Sequence, residues 1–308
     1  MRIKSSFTGM LAIVHLELIK VIRSWRYVVI LLLIAAGATK ATNQLLSYSR
    51  VVHKGINIWD AYFAFYGEWS SFFVTHIVPL MFIMLVGHIV ISDRNSGYMY
   101  MVVSRLKKKW VWWVSKCVAA AISALIYSLS IFCITIFIGL LKGFQVSFKL
   151  SPIALYTGSF DSANMANLNV IFPPINPFRS PVNPAFHALS LILFFTISYT
   201  LIALLGILIG IYSRNVLVPA ASSLFVLMFS GFIGAYITSP TIAAYFGFLQ
   251  TIMLDSSYRV SAGTPAALVK LGLQRIPLSQ FQSMFICLLA IILIVFAGHF
   301  LIIKKEYY

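Results

Sequence analysis

The sequence predicts an all-α polytopic membrane protein, and three observations predict it. Its 308 residues are 60% hydrophobic with a mean hydropathy of +0.93, and only 10% are charged, where a soluble domain carries roughly 25%. Its 25 Phe, 15 Tyr and 10 Met exceed what a water-facing fold of this length has a use for, whereas a bilayer protein keeps its outer surface apolar too. The apolar residues also gather into six runs close to the ~20 residues that carry a helix across a membrane, with basic residues at the ends of those runs.

Residues 7–26, FTGMLAIVHLELIKVIRSWR, come first. At a helical ~100° per residue, Phe7, Leu11, Leu18, Ile22 and Trp25 share one face. Lys20 and Arg23 lie opposite, with Glu17 and Ser24 at the edge of the polar side. Such a helix lies in the inner interface with Trp25 at headgroup depth; the alternative is that it continues the first span inward. The spans follow at 27–46, 71–91, 117–141, 189–212, 216–237 and 283–303. The first is strongly apolar only over 27–38, so its outer half is weakly defined. In the fourth, Gly206 and Gly210 form GxxxG. In the fifth, Ser230, Gly231, Gly234 and Ala235 give small-xxx-small pairs; both patterns let helices approach closely. Pro219 falls in the first turn of the fifth span, where a missing N–H costs little. His76 and His88 in the second span and His299 in the sixth are expected to be neutral and hydrogen-bonded.

Two connecting segments stand out. IFPPINPFRSPVNP, residues 171–184, holds five of the eleven prolines and reads as an irregular, ordered loop, because proline blocks regular helix and central strand. TPAALVKLGLQRIPL, residues 264–278, opens on Thr-Pro and continues with helical spacing, which predicts a short extracellular helix. The whole, 1–308, reads as one transmembrane domain.

Orientation follows from the basic residues. With the N-terminus in the cytoplasm, the inner segments 1–26, 92–116, 213–215 and 304–308 hold 14 of the 23 Lys and Arg, although they are the shorter segments. That gives N-in, C-in topology in a plasma membrane. The net charge of +16, placed at the ends of apolar runs, suits anionic headgroups rather than nucleic acid. Cys117, Cys133 and Cys287 form no CxxC or His/Cys cluster and are expected to be small buried hydrophobes. The N-terminal segment has no small-residue cleavage site and is expected to be retained.

Residues 93–116, DRNSGYMYMVVSRLKKKWVWWVSK, place six basic residues and one acid between two spans. Asp93, Asn95 and Ser96 are helix-capping types, Gly97 suggests a bend, and Met99, Val102, Val103 and Leu106 recur at helical spacing. Lys107, Lys108 and Lys109 suit lipid headgroups; Trp110, Trp112 and Trp113 suit the interface. The segment is either a topological anchor or a short helix that docks on a cytosolic partner.

Six spans, an N-terminal interfacial helix and this charged loop resemble the permease subunit of an ABC transporter of the ABC-2 type. In that family the loop often reads acid, Gly-Thr, an apolar turn, Ser-Arg, then Lys. Here Asp93, Gly97, Ser104, Arg105 and Lys116 match, and LELIKVIRS, residues 16–24 with Glu17, resembles the family's N-terminal segment. Tyr98 stands where Thr is usual, Asp93 where Glu is commoner, and no proline precedes Ser104. The resemblance implies that 92–116 is a coupling loop, with Glu17, Asp93, Arg94, Gly97, Ser104, Arg105 and Lys116 serving contact with a cytosolic ABC ATPase. It implies a second permease chain, identical or related, in a bacterial membrane. It also implies that ATP and Mg bind the partner ATPase, this chain holding no cofactor and no catalytic residue. The chain itself has no GxxxxGK[ST] phosphate loop, no HExxH and no paired-carboxylate motif. Export of a hydrophobic or amphipathic peptide, lipid or drug is the implied activity. A non-transporting scaffold or immunity protein, and an ion-coupled secondary transporter, stay open as alternatives.

Overall fold

The computed structural model describes residues 2–66, 77–98, 101–102, 109–149, 151–153, 183–213, 215, 217–236 and 280–304. They form α1 (Arg2–Ile22), α2 (Trp25–Val52), α3 (Ile58–Phe65), α4 (Val78–Asn95), α5 (Lys109–Leu141), α6 (Pro184–Tyr212), α7 (Leu217–Tyr236) and α8 (Gln280–Lys304). The only strand-like feature among the described residues is one isolated parallel bridge between Asn57 and Gln145. Among the described residues four helices are long and apolar enough to cross a membrane: α2, α5, α6 and, within α8, Met284–Leu301. α4 and α7 contribute shorter apolar stretches, Val78–Gly87 and Leu217–Val226. The expected helix over 264–278, the start of the second span at 71–76, and Ser104 and Arg105 lie outside the described residues.

α5 and α6 are central. α6 touches α3, α4, α5, α7 and α8, and α5 touches α1, α2, α3, α4, α6 and α8. Leu32, Phe137, Leu193, Leu293 and Phe296 remain exposed on the outside of the bundle, as a lipid-facing surface requires. Cys133, expected to be buried, is on this outer surface, while Cys117 and Cys287 are buried. Close approach depends on glycine where the sequence suggested it at Gly206, whose Cβ would meet Ser223 Oγ at 3.2 Å and Ile83. Gly210 is buried on the same helix, and Gly231 and Gly234 lie in α7. An unforeseen contact is tighter: a Cβ on Gly298 of α8 would overlap the Trp113 ring.

Several element boundaries differ from the sequence expectation. The first span runs on to Val52 instead of ending at 46, and its polar residues bond within the helix: Thr39 donates to Ala35 O, Thr42 to Ala38 O and Ser47 to Asn43 O. The third span begins at Lys109, not at 117. At 1.5 Å per residue α5 is about 50 Å long, against about 30 Å of hydrocarbon, so one end projects well past the membrane core. Trp112 and Trp113 are consequently core residues, not interface markers, and Trp113 Nε1 donates to Val295 O at 2.9 Å. Asp93 and Asn95 end α4 rather than start a new helix. The chain turns at Gly97, whose φ of +73° suits glycine, and becomes helical again at Tyr98. Pro184, the last proline of the expected loop, is the first residue of α6, capped by Asn183 accepting from Ala185 N.

α3 is new. Its eight residues, IWDAYFAF, are all buried except Trp59, which is partly so. Asn57 N donates to Asp60 Oδ2 at 2.7 Å, which closes the first turn. The same asparagine donates through Nδ2 to Ser147 O and Lys149 O, and Trp59 Nε1 also reaches Ser147 O. Ile58 N to Gln145 O and Gln145 N to Ile56 O complete the attachment of this end of α3 to the chain leaving α5. Gly139 lets Ala61 come close to α5.

Candidate functional site

Four charged side chains meet where α1 crosses the ends of α4 and α5. Glu17 and Lys20 stand one helical turn apart on α1 and so share a face. Asp93 comes from the last turn of α4, and Lys116 from α5. Lys20 Nζ lies 3.2 Å from Glu17 Oε1 and 2.6 Å from Asp93 Oδ1. Lys116 Nζ lies 2.8 Å from Glu17 Oε2 and 2.6 Å from Asp93 Oδ2. Each amine bridges both carboxylates, every carboxylate oxygen has an amine, and the four charges sum to zero.

Burial makes this closure necessary. Lys116 is 2% exposed, and Glu17 and Asp93 are buried as well. An isolated charge in that setting would be strongly disfavoured. Asp93 has a second reason to need partners, since an acid near a helix C-terminus opposes the helix dipole. Burial also works against the Lys20 ammonium, but its hydrogen bond to Asp93 and the charges of Glu17 and Asp93 outweigh it and hold its pKa above the ordinary lysine value. Aromatic faces cover the amines: the Tyr98 ring centroid lies 4.5 Å from Lys20 Nζ and that of Trp112 5.5 Å from Lys116 Nζ.

The structure thus brings together three residues picked from the sequence: Glu17, Asp93 and Lys116. Gly97 makes the turn beside them. Arg94 is helical in α4, and Ser104 and Arg105 fall outside the described residues. Glu17 is not at the edge of a polar face; with Ile13, Val14 and Val21 it forms the buried stripe of α1. Lys20 was not singled out as a partner, although a Glu-x-x-Lys spacing followed by a distant acid was the available signal. Phe7, Leu11 and Ile22 of α1 are exposed, as is Trp25, which opens α2.

The geometry has a mechanical meaning. Asp93 and Lys116 are the first and last residues of the 93–116 segment, and their contact closes that segment into a loop. Glu17 and Lys20 fasten the loop's base to α1. No group able to hold a metal appears among the described residues. No protein-family model matches this chain, and no curated protein matches it either.

Proposed function

We propose that this chain is the membrane-spanning permease subunit of an ATP-driven transporter of the ABC-2 type, with 93–116 as the loop that receives force from a cytosolic ATPase. The single observation that carries this reading is the closed ring of Glu17, Lys20, Asp93 and Lys116 at the base of that loop. A loop that only anchored two spans would need basic residues facing headgroups. It would not need a charge-neutral, fully paired ring that joins it to α1, α4 and α5. With the ring closed, a push on the loop moves three helices together instead of bending one.

On this reading Arg94, Ser104 and Arg105 are the residues presented to the ATPase, while Glu17, Asp93 and Lys116 act behind them as the rigid base. The helices α4 and α7, with the four longer ones, make six spans with both termini in the cytoplasm. Two permease chains, identical or related, and two ATPases form the transporter, and its cargo is hydrophobic or amphipathic. Lys107, Lys108 and Lys109 hold the loop against anionic headgroups, each contributing about 1 kcal/mol.

The test is co-purification of an ATPase at equal membrane levels of each variant. Arg105→Glu is expected to lower ATPase recovery and transport-stimulated hydrolysis without lowering insertion. Replacing all three of Lys107–Lys109 by Gln is expected to disturb insertion instead. Unchanged ATPase recovery and hydrolysis in the double variant Arg94→Glu, Arg105→Glu would overturn the reading.

A further inference from the structure

Six aromatic side chains meet away from the charged ring. Tyr62 and Tyr66 come from the α3 end, Phe82 from α4, Tyr127 from α5, and Phe195 and Tyr199 from α6. Tyr66 stacks on Phe195 with ring centroids 4.3 Å apart, and Tyr62 meets Tyr66 edge-on at 5.1 Å. Tyr127 lies 5.0 Å from Phe82 and 5.4 Å from Tyr199, and Phe195 lies 6.0 Å from Tyr199. All six are buried. Tyr127 and Tyr199 fall near the middle of the two central spanning helices, so the cluster sits deep in the bundle.

One phenol is satisfied: Tyr127 Oη donates to Val78 O at 3.0 Å. The hydroxyls of Tyr62 and Tyr66 interact with each other; beyond that, neither they nor the Tyr199 hydroxyl has a partner among the described residues. Buried tyrosines ordinarily find one, and phenylalanine would fill the same space without the cost. Two enclosed donors in one aromatic group, one left over from the Tyr62–Tyr66 pair and one from Tyr199, therefore call for an acceptor. Among the described residues no Lys, Arg, Asp or Glu belongs to the cluster, so none of them would neutralise an ionised headgroup. Ring faces suit an apolar body, and phenolic O–H groups suit neutral carbonyl oxygens. α3 forms one wall of the cluster: its first turn is hydrogen-bonded to the 145–149 segment, while its last residues rest on the rings.

We infer that Tyr62, Tyr66 and Tyr199 form a binding site for an uncharged acyl amphiphile, whose ester or amide carbonyl accepts hydrogen bonds from the phenols while its chain lies on the rings. In calling this molecule the cargo, the inference rests on the transporter reading; the binding itself does not. The probe is a diazirine-tagged decanoyl methyl ester, applied to the full chain in mild detergent, with labelled peptides read by mass spectrometry. Labelling is expected on peptides from α3 and α6, competed by unlabelled methyl decanoate at concentrations where decane and decyl sulfonate do not compete. The triple variant Tyr62→Phe, Tyr66→Phe, Tyr199→Phe is expected to weaken half-saturation by ~10-fold or more, as loss of several hydrogen bonds implies. Tyr199→Phe alone should give a smaller loss in a protein with an unchanged unfolding temperature. Equal half-saturation in wild type and both variants, equal competition by decane, stronger competition by the sulfonate, or labelling confined to other helices would each overturn the site. No ATPase is needed, so labelling at this site in a chain that recovers no ATPase would refute the transporter and leave the site standing.

Discussion

The charged ring and the tyrosine cluster are both polar groups buried on α5, with Lys116 and Tyr127 about 17 Å apart along that helix, and they meet the cost of burial in opposite ways. In the ring every carboxylate oxygen has an amine within 3.2 Å. In the cluster Tyr199 and one member of the Tyr62–Tyr66 pair have nothing to donate to among the described residues. A saturated network has one low-energy arrangement and resists change, which suits a clamp. An unsaturated one has a deficit that another molecule can fill, which suits a site. The difference lies in pairing rather than in polarity, since the ring is the more polar of the two.

The largest expected effect is on the ring. Lys116→Met leaves two buried carboxylates sharing one half-exposed amine, and breaking a buried pair in this way costs about 3–5 kcal/mol. Chemical unfolding in detergent should show that loss. Removing Glu17 as well, as Lys116→Met with Glu17→Gln, should cost less than the two single changes summed, because the partners are coupled. Additive losses would mean that the ring is not a unit.

Next comes a buried group whose hydrogen bonds do not make up for its burial. Asp60 is buried at the start of α3, and burial pushes its carboxyl up to about 6, against which the Asn57 N–H and the Ser151 hydroxyl act only in part. A carboxyl raised in the folded state favours folding when protonated. Stability from this group is therefore greatest below its unfolded value near 4, falls as pH rises to 6, and stays lower above that. A rise of roughly two units corresponds to about 3 kcal/mol. Asp60→Asn keeps an oxygen for the Asn57 N–H and should remove this slope, seen as a pH-dependent difference from wild type in unfolding between pH 4 and 7. A constant difference across that range would refute the assignment.

The two smallest effects set one phenol against another. Tyr127→Phe removes the donor to Val78 O and leaves that carbonyl enclosed, for a loss of about 1–2 kcal/mol. Tyr199→Phe removes a hydroxyl without a partner and should change stability by less than about 0.5 kcal/mol, or raise it. Equal losses in thermal unfolding at the two positions would erase the distinction between satisfied and unsatisfied phenols.

The helical class and the apolar runs were legible in the sequence because the bilayer imposes them locally: a backbone in hydrocarbon must satisfy its own hydrogen bonds, and its side chains must be apolar. The sequence also grouped Phe7, Leu11 and Ile22 on one face of α1, and all three are exposed. It singled out Glu17, Asp93 and Lys116 by resemblance, without showing that they touch. Helical spacing put Glu17 only at the edge of the polar side of α1, whereas it is buried there. In a bilayer setting the apolar stripe faces lipid, and Glu17 and Lys20 face protein charges instead. The early start of α5 was hidden by Lys109 and Lys116, whose charges read as a loop until Lys116 has its partners. α3 gave no periodic signal, since eight residues buried nearly all round have no polar face to alternate with. What tertiary structure alone decided is pairing across distance. Lys20 reaches Asp93 over 73 positions and Trp113 reaches Val295 over 182. Whether a buried polar group is a clamp or a site depends on partners that no local pattern encodes.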